Sequence, residues 1–157
     1  MTLTRQHLIA GAALGSALLL GGAFLFQALG YAPCKMCIWQ RYPHAAAIAL
    51  GAIAWFVPLA LLAALGAVAA LTTAAIGGYH VGVEQGWWEG PSSCSAQGVS
   101  GVDAGALFDQ IMAAPIIRCD EIAWQLGGIS MAGWNMVISL ALAALWIAAM
   151  RVRPTAA

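Results

Sequence analysis

Formal charges are sparse along this chain, and the gaps between them outline its architecture. Residues 6–33, 42–83 and 122–150 carry no Lys, Arg, Asp or Glu and are dominated by small and aliphatic side chains. A helix crossing the roughly 30 Å hydrocarbon core of a bilayer needs roughly 20 residues. The first and third runs each hold one such helix. The middle run, drawn as one helix, would reach about 63 Å, so it must fold back as two. Trp55-Phe56-Val57-Pro58 marks the turn, because proline ends the helix before it and suits the start of the next. The pattern predicts four spans, over residues 7–29, 43–57, 59–79 and 127–149. The segments 30–42 and 80–126 are left as loops on one side.

Composition agrees. Of the 157 residues, 62% are hydrophobic and 8% are charged, against about 45–50% and 25% in soluble domains. Too few polar groups remain to cover a soluble surface. Six basic residues balance six acidic ones, so neither a disordered polyelectrolyte nor a basic nucleic-acid binder is indicated. The chain reads as an all-α membrane protein of a single domain, residues 1–157. The first run is longer than a signal-peptide core and ends in no clear small-x-small site, so it is expected to remain as a span.

Charge placement sets the expected orientation. Glu84, Glu89, Asp103, Asp109, Asp120 and Glu121 all fall between two runs, whereas the ends carry Arg5, Arg151 and Arg153. The positive-inside rule then places both termini in the cytoplasm, as four spans require, and both loops outside. The turn near Pro58 has no Lys or Arg and adds no vote.

All four cysteines lie in the outward segments or at their edges: Cys34, Cys37, Cys94 and Cys119. An even count on the oxidising side suggests disulfides, with three pairings open. Cys34-Lys35-Met36-Cys37 is a Cys-x-x-Cys motif, whose small loop has more redox than structural value. Permanent loop staples are one alternative. A Cys₄ zinc site is another, although only one pair has the spacing of a zinc ribbon. The favoured reading is a thiol–disulfide relay.

A relay needs an electron acceptor. No Cys-x-x-Cys-His signals covalent haem, no Gly-x-Gly-x-x-Gly opens a helix after a strand, and neither metal nor flavin is expected. An apolar setting favours a lipid-soluble acceptor, a quinone. Arg41, one helical turn after Cys37, could stabilise a Cys37 thiolate and the charge on a reduced quinone; the alternative is a snorkelling interfacial arginine. His80, near the outer surface, could hydrogen-bond a quinone carbonyl or be merely interfacial. His44, after Pro43, reads as structural, and His7 lies on the cytoplasmic side. Between Val102 and Ile117, Leu107, Phe108, Ile111 and Met112 fall at helical spacing, which predicts a short amphipathic helix lying in the outer interface.

These residues carry a family resemblance. Cys34-Lys35-Met36-Cys37-Ile38-Trp39-Gln40-Arg41-Tyr42-Pro43 resembles the first periplasmic loop of the disulfide bond formation protein B (DsbB) family. Tyr79-His80-Val81-Gly82-Val83-Glu84, continuing to Trp87-Trp88-Glu89-Gly90-Pro91-Ser92-Ser93-Cys94, is similar to the entry into its second loop. Arg118-Cys119-Asp120 and the run Leu126–Asn135 are similar to the exit. The resemblance spans roughly residues 8–150. It implies a four-transmembrane-helix bundle of the bacterial inner membrane with two periplasmic loops. It also implies the pairs Cys34–Cys37 and Cys94–Cys119. A reduced DsbA-like thiol oxidase would attack Cys94, the freed Cys119 would attack Cys34, and Cys37 would pass electrons to a quinone, ubiquinone in preference to menaquinone. The rival function is a non-enzymatic four-span protein with stapled loops.

Overall fold

A computed structural model describes residues 4–57, 59–95 and 117–152. Four long helices dominate: α1 (Arg5–Ala28), α2 (Lys35–Phe56), α3 (Ala60–Glu84) and α5 (Met131–Arg151). A single turn, α4 (Ser92–Ser95), and a two-stranded hairpin, β1 (Gln125–Leu126) with β2 (Ile129–Ser130), lie between α3 and α5. Around the bundle α1 packs on α2, α2 on α3, α3 on α5 and α5 back on α1, closing a ring.

The helix ends follow local chemistry. Thr4, Cys34 and Ser130 each accept a backbone N–H from the first turn of the helix they precede, satisfying one donor that has no helical partner. After α3 the chain leaves through Gly86 at φ +69, with Gly86 N donating to Val83 O and Trp87 N to Gly82 O. This 5→2 and 6→1 pair is the motif that a left-handed residue after the helix permits. The hairpin turns on Gly127 and Gly128, both at positive φ, as a two-residue turn of this hand requires.

The bundle is packed as a membrane protein is. Its core is small: Ala12, Ala54, Ala63, Ala67, Ala70 and Ala143 are buried, while Leu18, Phe24, Phe56, Leu61 and Val68 are exposed on the outside. Apolar side chains facing outward suit lipid, and small residues inside let helices approach closely. Trp146, fully buried, fills the remaining space. A Cβ on Gly66 would lie 2.5 Å from its indole, and one on Gly51 would lie 2.4 Å from Ala13 Cβ. Arg5 closes that end, donating from Nε to Ala149 O at 3.0 Å and from Nη2 to Met150 O at 3.4 Å. A guanidinium there satisfies two of the last carbonyls of α5 and complements its dipole.

Among the described residues α1, α3 and α5 are long and apolar enough to cross a membrane. The equally long α2 carries Lys35, Gln40, Arg41 and His44 in its first turns, which lowers its hydropathy. The helices also overrun the expected spans. α2 begins at Lys35 rather than at 43 and contains Pro43. Packing of neighbouring helices lets a membrane helix carry a proline that a soluble one would reject. α3 continues to Glu84, past 79, so His80 is helical. α5 starts at Met131, and the hairpin before it was not foreseen. The expected turn residue Pro58 and the expected amphipathic helix, apart from its last residue Ile117, lie outside the described residues.

Candidate active site: a buried cysteine cluster beside an apolar cavity

All four cysteines meet at one end of the bundle. Cys34, Cys94 and Cys119 are buried together with Met36 and Val83, and Cys37 and Trp39 pack against them. Each arrives by a different route. Cys34 caps α2, and Cys37 sits in its first turn. Beyond α3 the chain folds back on the helix. Trp88 lies over Gly82, stacks on Tyr79 and donates from Nε1 to Tyr79 O at 3.0 Å, and Tyr79 Oη donates to Glu89 O at 3.0 Å. That reversal carries Cys94 back to Val83. Cys94 is bridged to Cys119, with Cα atoms 5.4 Å apart. On the far side Ser130, at the root of α5, donates to Glu84 at the end of α3, tying the hairpin to the same surface.

Cys34 and Cys37 are unbridged, with sulfurs 2.8 Å apart. The Cys37 thiol, donating to it, drives Cys34 from the ordinary 9.0 down to about 4, against the cost of burial, with His80 and the Cys37 N–H acting in the same direction. The position also helps, since a sulfur at a helix N-terminus faces the positive end of the helix dipole. The helix cap and His80 thus favour negative charge on Cys34; the sequence expectation placed it on Cys37 beside Arg41, whose guanidinium is engaged by Gln27 and Ala23.

His80 stands between the two pairs. Its Nε2 lies 3.6 Å from Cys34 Sγ and 3.2 Å from Cys119 O, and 3.9 Å from a Glu84 carboxylate oxygen. Its Nδ1 faces Gln40 Nε2 at 3.1 Å. Cys34, Cys37 and His80 present three ligand atoms within 4.8 Å of one another, a donor set a soft metal could use. Two thiolates sharing one zinc at about 2.3 Å would sit about 3.8 Å apart.

Beside the cluster lies a cavity of ≈ 370 Å³, mostly apolar, whose polar wall includes Cys37, Gln40, Arg41, His44 and Asn135. Arg41 turns toward α1. Nη1 donates to Gln27 Oε1 at 2.6 Å, Nη2 to Ala23 O at 3.3 Å, and the guanidinium lies 4.8 Å over the Phe24 ring. Its Nε is buried without a hydrogen-bond partner among the described residues. His80 is absent from the cavity wall, its imidazole being occupied by the thiol cluster. Sequence reasoning gave no role to Gln40, Thr73 and Asn135 and read His44 as structural; together they form a hydrogen-bonded set at that wall. Polar side chains within apolar runs were the available signal, because they are costly in a membrane and mark function by default.

Fold and cluster together define a helical membrane protein organised around thiol–disulfide chemistry. The family model described as "Disulfide bond formation protein DsbB" matches residues 5–149, and the chain belongs to that family, which gives it a role in disulfide bond formation. The curated "Disulfide bond formation protein B" of Verminephrobacter eiseniae (strain EF01-2) is 32% identical over 149 residues, covering 84% of this chain and 77% of that protein. No solved structure matches the chain.

Proposed function

We propose that this protein is a quinone-dependent disulfide oxidoreductase of the bacterial inner membrane that reoxidises a periplasmic thioredoxin-fold (DsbA-like) thiol oxidase. The observation that carries the reading is the convergence of both cysteine pairs on His80 in one buried cluster. Fixed staples would need no shared imidazole. In this reading the whole chain is one domain, α2 is a fourth span and both termini are cytoplasmic, in keeping with the arginines at the ends and the acids between 84 and 121.

The chemistry then runs through the chain's own sulfurs. A thiolate of the partner attacks Cys94, forming a mixed disulfide and releasing Cys119 as a thiolate. Cys119 attacks Cys34 of the oxidised first pair, and Cys37 leaves. The partner's second thiol resolves the mixed disulfide at Cys94, and Cys94 in turn displaces Cys34 from Cys119. The result is Cys94–Cys119 bridged again and Cys34/Cys37 holding the electron pair. His80, one hydrogen bond from Cys34 and from the Cys119 carbonyl, steadies charge on Cys34 through each exchange. In this reading it serves the thiols.

The cavity fits a quinone: an apolar volume bordered by Cys37, with the unpartnered Arg41 Nε as a donor for developing negative charge. A bound quinone accepts two electrons and two protons, and ubiquinone, a stronger oxidant than menaquinone, suits a strongly oxidising partner better. Decay of quinone absorbance with purified protein and a reduced thioredoxin-fold donor tests the reading; no decay above the uncatalysed rate would sink it. Topology is tested by an impermeant maleimide on intact cells, which should modify engineered cysteines in the two loops and none near positions 3 or 155.

A further inference from the structure

His44 is 3% exposed, and its Nδ1 is buried with no hydrogen-bond partner among the described residues, at the wall of the cavity. A buried imidazole nitrogen left unpaired costs free energy, so its orientation needs a reason. The hydrogen bonds behind it fix which nitrogen carries the proton.

Two backbone carbonyls anchor the assignment. Gln40 Nε2 faces Met36 O at 3.3 Å, and Asn135 Nδ2 faces Thr73 O at 3.3 Å. A carbonyl oxygen only accepts, so each of those amide positions must be the NH₂ group. With Gln40 set, its oxygen accepts from Asn135 Nδ2 at 2.8 Å and its nitrogen donates to His80 Nδ1 at 3.1 Å. His80 is thereby the Nε2–H tautomer, aimed at Cys34 and the Cys119 carbonyl. With Asn135 set, its Oδ1 faces His44 Nε2 at 2.8 Å. An oxygen there accepts, so His44 also carries its proton on Nε2. Thr73 donates its hydroxyl to Gln40 O at 3.1 Å, which leaves its oxygen as a second acceptor 3.3 Å from that nitrogen. His44 Nδ1 is left as a bare lone pair at the cavity.

We propose that His44 is a quinol-recognising residue of this chain, its Nδ1 lone pair accepting a hydrogen bond from one hydroxyl of a para-quinol in the cavity, so that the site holds the reduced product in preference to the quinone. The inference rests on the quinone reading above and deepens it. On closing their disulfide the Cys34 thiolate and the Cys37 thiol supply two electrons and one proton, and quinone-to-quinol reduction takes two electrons and two protons, the second proton coming from solvent. Arg41 can attract negative charge but, having donors only, cannot accept a hydrogen bond from the finished hydroxyl. Cys37 and His44 stand two turns apart on α2, about 10 Å along its axis. One buried chain thus assigns opposite tasks to two like tautomers: His80 donates toward a thiolate, and His44 accepts from the cavity.

The test is binding first and rate second. Detergent-solubilised wild type is titrated with a short-chain quinol and with the corresponding dimethyl ether, which keeps the ring and lacks the hydroxyl donors. Wild type should prefer the quinol by about tenfold, the equivalent of one hydrogen bond. His44→Leu should bind both alike, and His44→Gln, which keeps an acceptor, should retain part of the preference. With saturating reduced partner, inhibition of quinone reduction by added quinol should weaken about tenfold in His44→Leu, while mixed-disulfide formation at Cys94 proceeds at the wild-type rate. A His44→Leu protein with the wild-type quinol preference would overturn the role of His44 and leave the cavity reading standing. Failure of wild type to bind either compound, with Arg41→Ala indistinguishable from it in quinone KM, would remove the cavity reading and this inference with it.

Discussion

The two ends of the bundle solve helix packing in opposite ways. At the end closed by Arg5, α3 and α5 meet through Gly66 and Trp146, and the buried surface is alanine and glycine with one indole and the aliphatic side chains of Leu8, Ile9 and Leu142. At the other end the same helices hold Thr73, His80, Asn135 and Ser130, each hydrogen-bonded across a helix boundary. Lipid is as apolar as leucine, so burial alone cannot hold helices together in a membrane. Shape does most of that work at the first end, and a polar network does it at the second. Shape fixes a distance; a network of donors and acceptors also fixes which atom carries a proton. Only the second end can support chemistry.

The largest effect that would separate the ends is at Cys119. Cys119→Ser should reduce multiple turnover to background, because no resolving thiol remains. Non-reducing gels should show the partner trapped on Cys94, and trapping through Cys34 instead would reverse the order of exchange. Next comes Arg41. Arg41→Ala should raise the quinone KM by about tenfold to a hundredfold, the worth of a hydrogen bond to a charged group, with partial rescue by lysine, which keeps charge but loses the planar fork. Unchanged KM in both would return Arg41 to an anchoring role against Phe24 and Gln27.

A substitution at the shape-packed end should do the reverse. Gly66→Ala drives a methyl into the Trp146 ring and should cost about 1–3 kcal/mol of stability, read as a lower unfolding temperature. Turnover per folded molecule should stay at the wild-type value; a selective fall in turnover would mean that the two ends are mechanically coupled.

The pH dependence of Cys34 is a finer probe. Its folded-state pKa lies at about 4 and its ordinary value at 9.0. The stabilisation from that lowering is complete above pH 9, shrinks as pH falls, and is lost once pH drops through about 4. In the reduced protein, iodoacetamide should alkylate Cys34 at a nearly constant rate down to about pH 5, slowing only as pH passes through about 4. Cys37→Ala removes the strongest donor to that thiolate and should move the fall to higher pH. A wild-type fall near pH 9 would refute the assignment. The smallest effect should come from Arg118, which grips Asp120 and reaches Glu121 in full exposure and holds the Asp120 carboxyl below its usual range. Arg118→Ala should leave the unfolding temperature unchanged, since exposed pairs contribute little.

Much of this was legible in the chain. Charge-free runs gave the long helices and the break between Phe56 and Ala60, and the cysteine positions gave the cluster's members. The start of α2 was not legible, because cysteine is outside the usual capping residues and Pro43 argues for a boundary where neighbouring helices override it. The role of His44 was hidden for another reason. Its partners Thr73 and Asn135 lie 29 and 91 residues away, and no local pattern records a contact of that range. The direction of Arg41 depends likewise on Gln27 and Phe24 of a different helix.

Arg5 has a consequence for biosynthesis. It stands in the first turn of the first helix, yet the carbonyls it binds belong to Ala149 and Met150, 144 and 145 residues later. A chain emerges from the ribosome N-terminus first, so this guanidinium must wait through the synthesis of the three later long helices for these two acceptors. Contacts of such long sequence separation are slow to form, and this one cannot exist until the last helix has entered the membrane. The seam between α1 and α5 is therefore closed only after α5 has been made. A truncation that removes the last turn of α5 would take these two acceptors from Arg5.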